Sequence, residues 1–356
     1  MENINQSPMS AGDLVDALHE LGSRDESRNK FVELLQEFEL SVPVGNDINV
    51  RELVTGPIVD ALYGYDRPFT KTLSNGIIFS ARYTSKIIRD FIMSDEAAPD
   101  HVWEPQTTRT LLNLCKDAKN VVIGGAYMGD QAVPLAHQLR TIGTVHCFEL
   151  SEKNNKLLSL NARQNLLDNI VINEIGLWSD ENVKLTLDGD DSHAAPKVNT
   201  TGFSVTTIDA YAKKNNIECL DLILLDIEGG ELAALKGADG FLKQNKEKAP
   251  HVIFEIHSSY TDWTNGVENT DIVKYLVNNG YEVFGLRDYN SNVSMAGKPV
   301  ELVELDGMYT DGPSHGFNML ATKRRSELDP VLFKFVAGVS PKLLKHRDPK
   351  YFSPLN

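Results

Sequence analysis

The stretch Asp221–Ala238, DLILLDIEGGELAALKGA, sets three carboxylates, Asp226, Glu228 and Glu231, where an apolar strand gives way to a helical pattern. Asp226 ends the strand, and open α/β sheets bind ligands outside the carboxyl ends of their strands. Glu228 and Glu231 lie three apart and would share one face as the helix begins. Acids in a first helical turn also complement the helix dipole, worth roughly 0.3–1 kcal/mol. That explains Glu231 better than it explains Asp226 or Glu228. The next apolar run, VIFEIH (Val252–His257), carries Glu255 and His257 on one face by its period of two. If these strands are neighbours, Asp226 and His257 end side by side. A carboxylate beside an imidazole can serve as a general base or hold a metal ion.

Two earlier strand ends point to the same crevice. VVIGGAYMGD (Val121–Asp130) follows a strand and opens a helix. Gly125 and Gly129 would let backbone approach a ligand without a Cβ in the way, and the helix start offers free N–H groups. The following strand, TVHCFE, ends in Glu149, 24 residues after Gly125. An acid at that place accepts hydrogen bonds from two ribose hydroxyls. The pair implies a ribose-bearing cofactor, and NAD and S-adenosylmethionine both qualify. The absence of GxGxxG counts against the nicotinamide cofactor.

The elements that must position these residues start near residue 103. Short apolar segments, NVVI (Asn120–Ile123), Thr144–Glu149, Ile170–Glu174, Asp221–Asp226, His251–His257, Tyr281–Arg287 and Gly316–Thr322, alternate with helical stretches. Val183–Leu187 and Phe203–Ile208 are extra β segments. Strands alternating with helices mean βαβ units and a mostly parallel sheet. Residues 10–65 read as helices from the spacing of Leu14, Leu18 and Leu21 and of Phe31, Leu34, Leu35 and Phe38, with a break at Ser41–Asn49. LSNG before IIFSARY signals a hairpin or strand around Asn75–Tyr83, and Met93–Asp100 reads as a polar linker. The expected organisation is a mainly helical extension over 1–100, a catalytic domain over 101–325 and a basic tail over 326–356.

Composition limits the partners. The 356 residues carry 35 basic and 50 acidic side chains, a net charge of −15, which disfavours nucleic acid. The start lacks the basic and apolar regions of a signal peptide, and no apolar run reaches the ~20 residues of a membrane span. Cys115, Cys147 and Cys219 are far apart and lack metal-site spacing, so a reducing cytoplasm is expected. The stripes of the N-terminal helices fit a lid, a homodimer interface or packing on the same subunit.

From about Trp103 to Thr322 the chain resembles the FkbM family of S-adenosylmethionine-dependent methyltransferases. The landmarks are WEPQTTRTLLNL, GGAYMG, VHCFELSEKNNKLLSLNARQN with Asn161 and Asn165, GLWSDENVKL, VTTIDAY, LILLDIEGGELAALKGA and VIFEIH. The resemblance implies a Rossmann-like seven-stranded class I methyltransferase fold, and methyl transfer to a hydroxyl of a sugar, polyketide or other small metabolite. It implies that Gly125, Ala126 and Gly129 face the methionine part of the cofactor and that Glu149 and Leu150 hold the ribose. Glu174, Ile175 and Trp178 would flank the adenine. Asp226, His257 and Glu228 would be catalytic, Asp226 also contacting the cofactor, with Asp226, Glu231, Glu255 and His257 as candidate ligands of a divalent metal such as Mg²⁺. The family usually carries an acid at the position of Ile123, so the methionine-end contact falls to Glu104 or Asp130. It often carries a lysine at the position of Leu224. The departure at Ile123 keeps a second class open, a catalytically silent cofactor-binding or assembly protein.

Overall fold

A computed structural model describes residues 10–43, 48–188, 195–310 and 316–344. The start of the chain, part of the Ser41–Asn49 break and the end of the basic tail lie outside the described residues.

The sequence's apolar runs assemble into one nine-stranded sheet. In chain order its strands are β1 (Asn120–Gly124), β2 (Thr144–Phe148), β3 (Ile170–Asn173), β4 (Leu222–Leu225) and β5 (His251–Ile256). They continue as β6 (Glu282–Leu286), β7 (Val300–Val303), β8 (Phe317–Thr322) and β9 (Phe333–Val336). The spatial order is β9-β7-β6-β8-β5-β4-β1-β2-β3. Strands β1 to β5 are parallel, and β8 runs antiparallel between β5 and β6. Central strands such as β4 are buried throughout, as expected where helices cover both faces. Seven strands were expected. The additional β7 and β9 extend the sheet beyond β6, and β9 comes from the region read as a tail.

The chain leaves β1 toward β2 and β3 on one side, then returns to β4 and β5 on the other. The order therefore reverses between β1 and β4, and a crevice opens outside their carboxyl ends. A four-stranded sheet formed by Gly176–Leu177, Lys184–Asp188, Ala195–Asn199 and Phe203–Thr206 flanks that crevice.

The N-terminal region holds helices Ala11–Gly22, Asp25–Ser41 and Gly56–Tyr63, followed by a hairpin of Pro68–Thr72 with Ile78–Arg82. The hairpin docks on the helix Glu152–Gln164 through side-chain amides. Asn161 bonds the N–H and the carbonyl of Ser80 at 2.8 and 2.9 Å, and Asn165 does the same for Ile78 at 2.8 and 2.6 Å. Each amide thus replaces a missing strand neighbour on the hairpin edge. A short helix, Lys86–Ile92, follows.

The stretch read as a linker, Met93–Asp100, is anchored instead. Met93 and Ser94 are buried, the Ser94 carbonyl accepts from Gln36 Nε2 at 2.9 Å, and Glu96 accepts from Ser294 Oγ at 2.6 Å. Its polar residues are tied to the body of the protein, which composition alone does not reveal.

Candidate active site

The crevice is a cavity of about 640 Å³, within the range of small-molecule sites. Its floor is the contact between β1 and β4. Gly125 has φ +75°, and a Cβ there would stand 1.7 Å from the Asp226 carbonyl oxygen. At Gly129, φ is +93° and a Cβ would meet the Leu158 and Val133 side chains at 2.6 and 2.8 Å. Both glycines are therefore required by the protein's own packing. The sequence reading assigned them to a ligand; of the two, only Gly125 lines the cavity.

Glu149 closes one side. Its Oε2 accepts from the Tyr127 N–H at 2.9 Å and its Oε1 from the Ser151 N–H at 2.7 Å. The Asn154 side chain and the Leu150 N–H also hydrogen-bond to it, so several donors fix the carboxylate at the cavity wall. Burial raises the Glu149 pKa, and these donors oppose that shift. Leu150, Ile175 and Trp178 line the wall beyond it, while Glu174 is exposed and turned away. Leu185 and Phe203 of the flanking sheet complete this apolar side.

On the opposite side Glu104 starts the helix Pro105–Leu114 in a left-handed conformation, φ +47°. Its carboxylate accepts from Asn290 Nδ2 at 3.0 Å and from Asn318 Nδ2 at 2.7 Å. Burial, then the charges of Asp226, Asp288 and Asp130, push its pKa well above the usual range. Asp130 also lines the cavity, and burial lifts its pKa to about 6. Ile123 and Leu224 face each other across β1 and β4, so no acid comes from either strand interior.

At the tip of β4 the backbone turns sharply. Glu228 has φ +55° and Gly229 φ +101°. Glu231 explains how the turn holds. Its Oε1 accepts from the Ile227 N–H at 2.9 Å, and its Oε2 from the Gly229 N–H at 3.0 Å. Glu231 is buried under the turn and does not line the cavity, which departs from its expected place among the metal ligands. Asp226, Glu228 and Glu255 do converge: one oxygen from each lies within 4.8 Å of the others. Asp226 and Glu255 follow Leu225 and Phe254, which pair across β4 and β5. Burial, then neighbouring carboxylates, hold both pKa values well above the ordinary range. His257, one residue past β5, lines the cavity next to this cluster, and its Nδ1 accepts from the Ser259 N–H at 3.0 Å. The Tyr260 ring lies 5.5 Å from the His257 ring, over Gly229, and its hydroxyl bonds to Glu228.

Several lining residues escaped the sequence reading. Asn290 and Asn318 come from far along the chain, and Ser85, Lys86 and Ile87 come from the N-terminal region. No spacing rule connects them to β1 or β4; only the antiparallel insertion of β8 and the docking of the hairpin bring them there. Asn318 alone carried a signal, as a polar residue inside the apolar run Phe317–Thr322.

Strand order, the antiparallel β8 and a cleft at the β1/β4 switch point define a Rossmann-like class I methyltransferase fold. Residues 124–283 match the family model of the methyltransferase FkbM domain. Among solved structures, it is similar to a methyltransferase FkbM from Methylobacillus flagellatus KT at 19% identity and TM-score 0.34, over 57% of this chain and 44% of that one. This chain thus spans less than half of that protein. It is also similar to an S-adenosylmethionine-dependent methyltransferase from Agrobacterium tumefaciens, at 13% identity and TM-score 0.38, over 72% and 70% of the two chains. A precorrin-6y C5,15-methyltransferase from Geobacter metallireducens GS-15 aligns at 10% identity and TM-score 0.35, over 61% and 89%. At such scores these likenesses add no weight to the strand order. No curated protein matches the chain in sequence. Among the described residues no helix is long and apolar enough to cross a membrane.

Proposed function

We propose that the protein is an S-adenosylmethionine-dependent methyltransferase acting on a hydroxyl group of a small metabolite such as a sugar or polyketide. One observation carries the reading: the cleft at the switch point is walled by carboxylates. Glu149 lines it on one side, Glu104 on the opposite side, Asp130 lines it as well, and Asp226, Glu228 and Glu255 line it at the β4 and β5 tips. Such a wall attracts a cationic sulfur nucleoside and disfavours an anionic ligand such as a dinucleotide pyrophosphate.

When bound, the cofactor supplies a methyl group made electrophilic by its sulfonium sulfur. Glu149, on the cavity wall, would accept hydrogen bonds from the ribose hydroxyls. Leu150, Ile175 and Trp178 shelter the adenine from water. Glu104 and Asp130 hold the ammonium of the methionine end, the role the family usually gives an acid at position 123. Asp226 and His257 flank the acceptor side, where either can take the proton a hydroxyl gives up as its oxygen is methylated. A raised pKa makes Asp226 a stronger base than an ordinary carboxylate when it is ionised.

A hard divalent ion such as Mg²⁺ suits Asp226, Glu228 and Glu255. This set replaces the one expected from sequence, because Glu231 is committed to backbone N–H groups. The N-terminal helices are assigned a role in shaping the acceptor side or in pairing two subunits.

Incubation with methyl-tritiated S-adenosylmethionine and a panel of hydroxylated small molecules tests the activity. Label transferred by the wild type and lost in Asp226→Asn supports it. Cofactor binding without transfer to any acceptor would favour the silent binding protein that Ile123 leaves open.

A further inference from the structure

The wall contributed by the N-terminal region lies outside the family match, yet it includes Lys86, the only lysine or arginine among the described residues that line the cavity. The wall is fastened to the glycine turn of β1: Ser85 Oγ and the Tyr127 hydroxyl are 3.1 Å apart, and the Tyr127 N–H is bound by Glu149. Lys86 itself is aimed by Glu52, whose Oε1 lies 2.8 Å from Nζ, while Arg89 braces the other Glu52 oxygen at 2.7 Å. An ammonium group has three donors, so Glu52 leaves two of them for a ligand.

The methionine end of the proposed cofactor is a zwitterion. Glu104 and Asp130 serve its ammonium, and the charges of Asp130 and Glu149 are both felt at Tyr127, beside Ser85 and Lys86. Its carboxylate, in a cleft lined by acids, needs a cation to offset the repulsion. We propose that Lys86 binds the α-carboxylate of the cofactor's methionine end, so that a residue outside the methyltransferase domain completes the cofactor site. This assignment rests on the S-adenosylmethionine reading of the cleft.

The test is calorimetric titration of the full chain with S-adenosylhomocysteine and with its decarboxylated analogue, which lacks only that carboxylate. The wild type should bind S-adenosylhomocysteine about tenfold more tightly than the analogue, a typical gain for one charge-assisted contact. Lys86→Met should erase that preference by weakening S-adenosylhomocysteine alone, and Lys86→Arg should restore most of it. Equal wild-type affinities for the two ligands would overturn the assignment without needing any variant. So would a Lys86→Met protein that keeps the preference or weakens both ligands alike. A folded wild type that binds neither ligand overturns the cofactor reading itself, and the Lys86 assignment with it.

Discussion

Gly125 and Asp226 touch across the switch point of the sheet: a Cβ on Gly125 would stand 1.7 Å from the Asp226 carbonyl oxygen. The position that opens the cleft and the position that ends the acid-bearing strand are therefore one structural unit. Gly125→Ala forces both a disfavoured φ and a backbone clash. The conformation alone costs about 1–3 kcal/mol. Chemical denaturation should show at least that loss, whereas an unchanged midpoint would mean that the strands do not meet there.

Stability should depend on pH in the direction set by the buried acids. Unfolded, these carboxylates titrate near 3.8–4.5, but folded Asp130 lies at about 6 and Glu231 at about 7, and Asp226 and Glu255 are also raised well above the ordinary range. The folded state thus binds more protons than the unfolded state, so these groups favour folding at low pH and oppose it as pH rises through their folded values. The melting temperature of the ligand-free protein should fall between about pH 5 and about pH 8, and Glu255→Gln should flatten that fall. Because the sulfonium is cationic, the extra stabilisation by S-adenosylmethionine over neutral S-adenosylhomocysteine should grow across the same interval. A constant difference would show that the acids do not sense the sulfur.

Glu231 is assigned to holding the turn. Glu231→Ala removes the charged acceptor that the N–H groups of Ile227 and Gly229 share, at about 1–3 kcal/mol. Glu231→Gln, which keeps an acceptor oxygen, should recover part of that stability in the same unfolding experiment.

Metal binding separates the two candidate ligand sets. Titration with Mg²⁺ or Mn²⁺ should lose its signal in Asp226→Asn and in Glu255→Gln but persist in a folded Glu231→Gln, whose side chain does not reach the cavity. Loss in Glu231→Gln as well would restore the larger set read from the sequence.

What the sequence disclosed follows a physical division. Strand ends that carry an acid after an apolar run, Glu149, Asp226 and Glu255, were legible because period-two burial and the topology of parallel sheets fix where such residues emerge. The glycines were legible as necessary, but the reason lay in contacts between β1 and β4 and with Leu158, which no local pattern encodes. Glu231 was misplaced because spacing gives the face of a helix and not the path of a carboxylate that folds back on its own turn. β7 went unread because its run Val300–Val303 is interrupted by Glu301, which is buried in a 2.7 Å ion pair with Arg287. Lys86 was invisible for a simpler reason: its approach to the cleft depends on amide contacts between residues 78–80 and 161–165, far apart in the chain.

Calorimetric titration of S-adenosylmethionine into wild type and Glu149→Ala tests the cofactor site most directly. The wild type should bind in a one-to-one ratio, and the variant should lose about tenfold or more in affinity as the ribose contacts go. A folded wild type that takes up no S-adenosylmethionine, or a variant that binds it equally well, would contradict the assignment of this cleft.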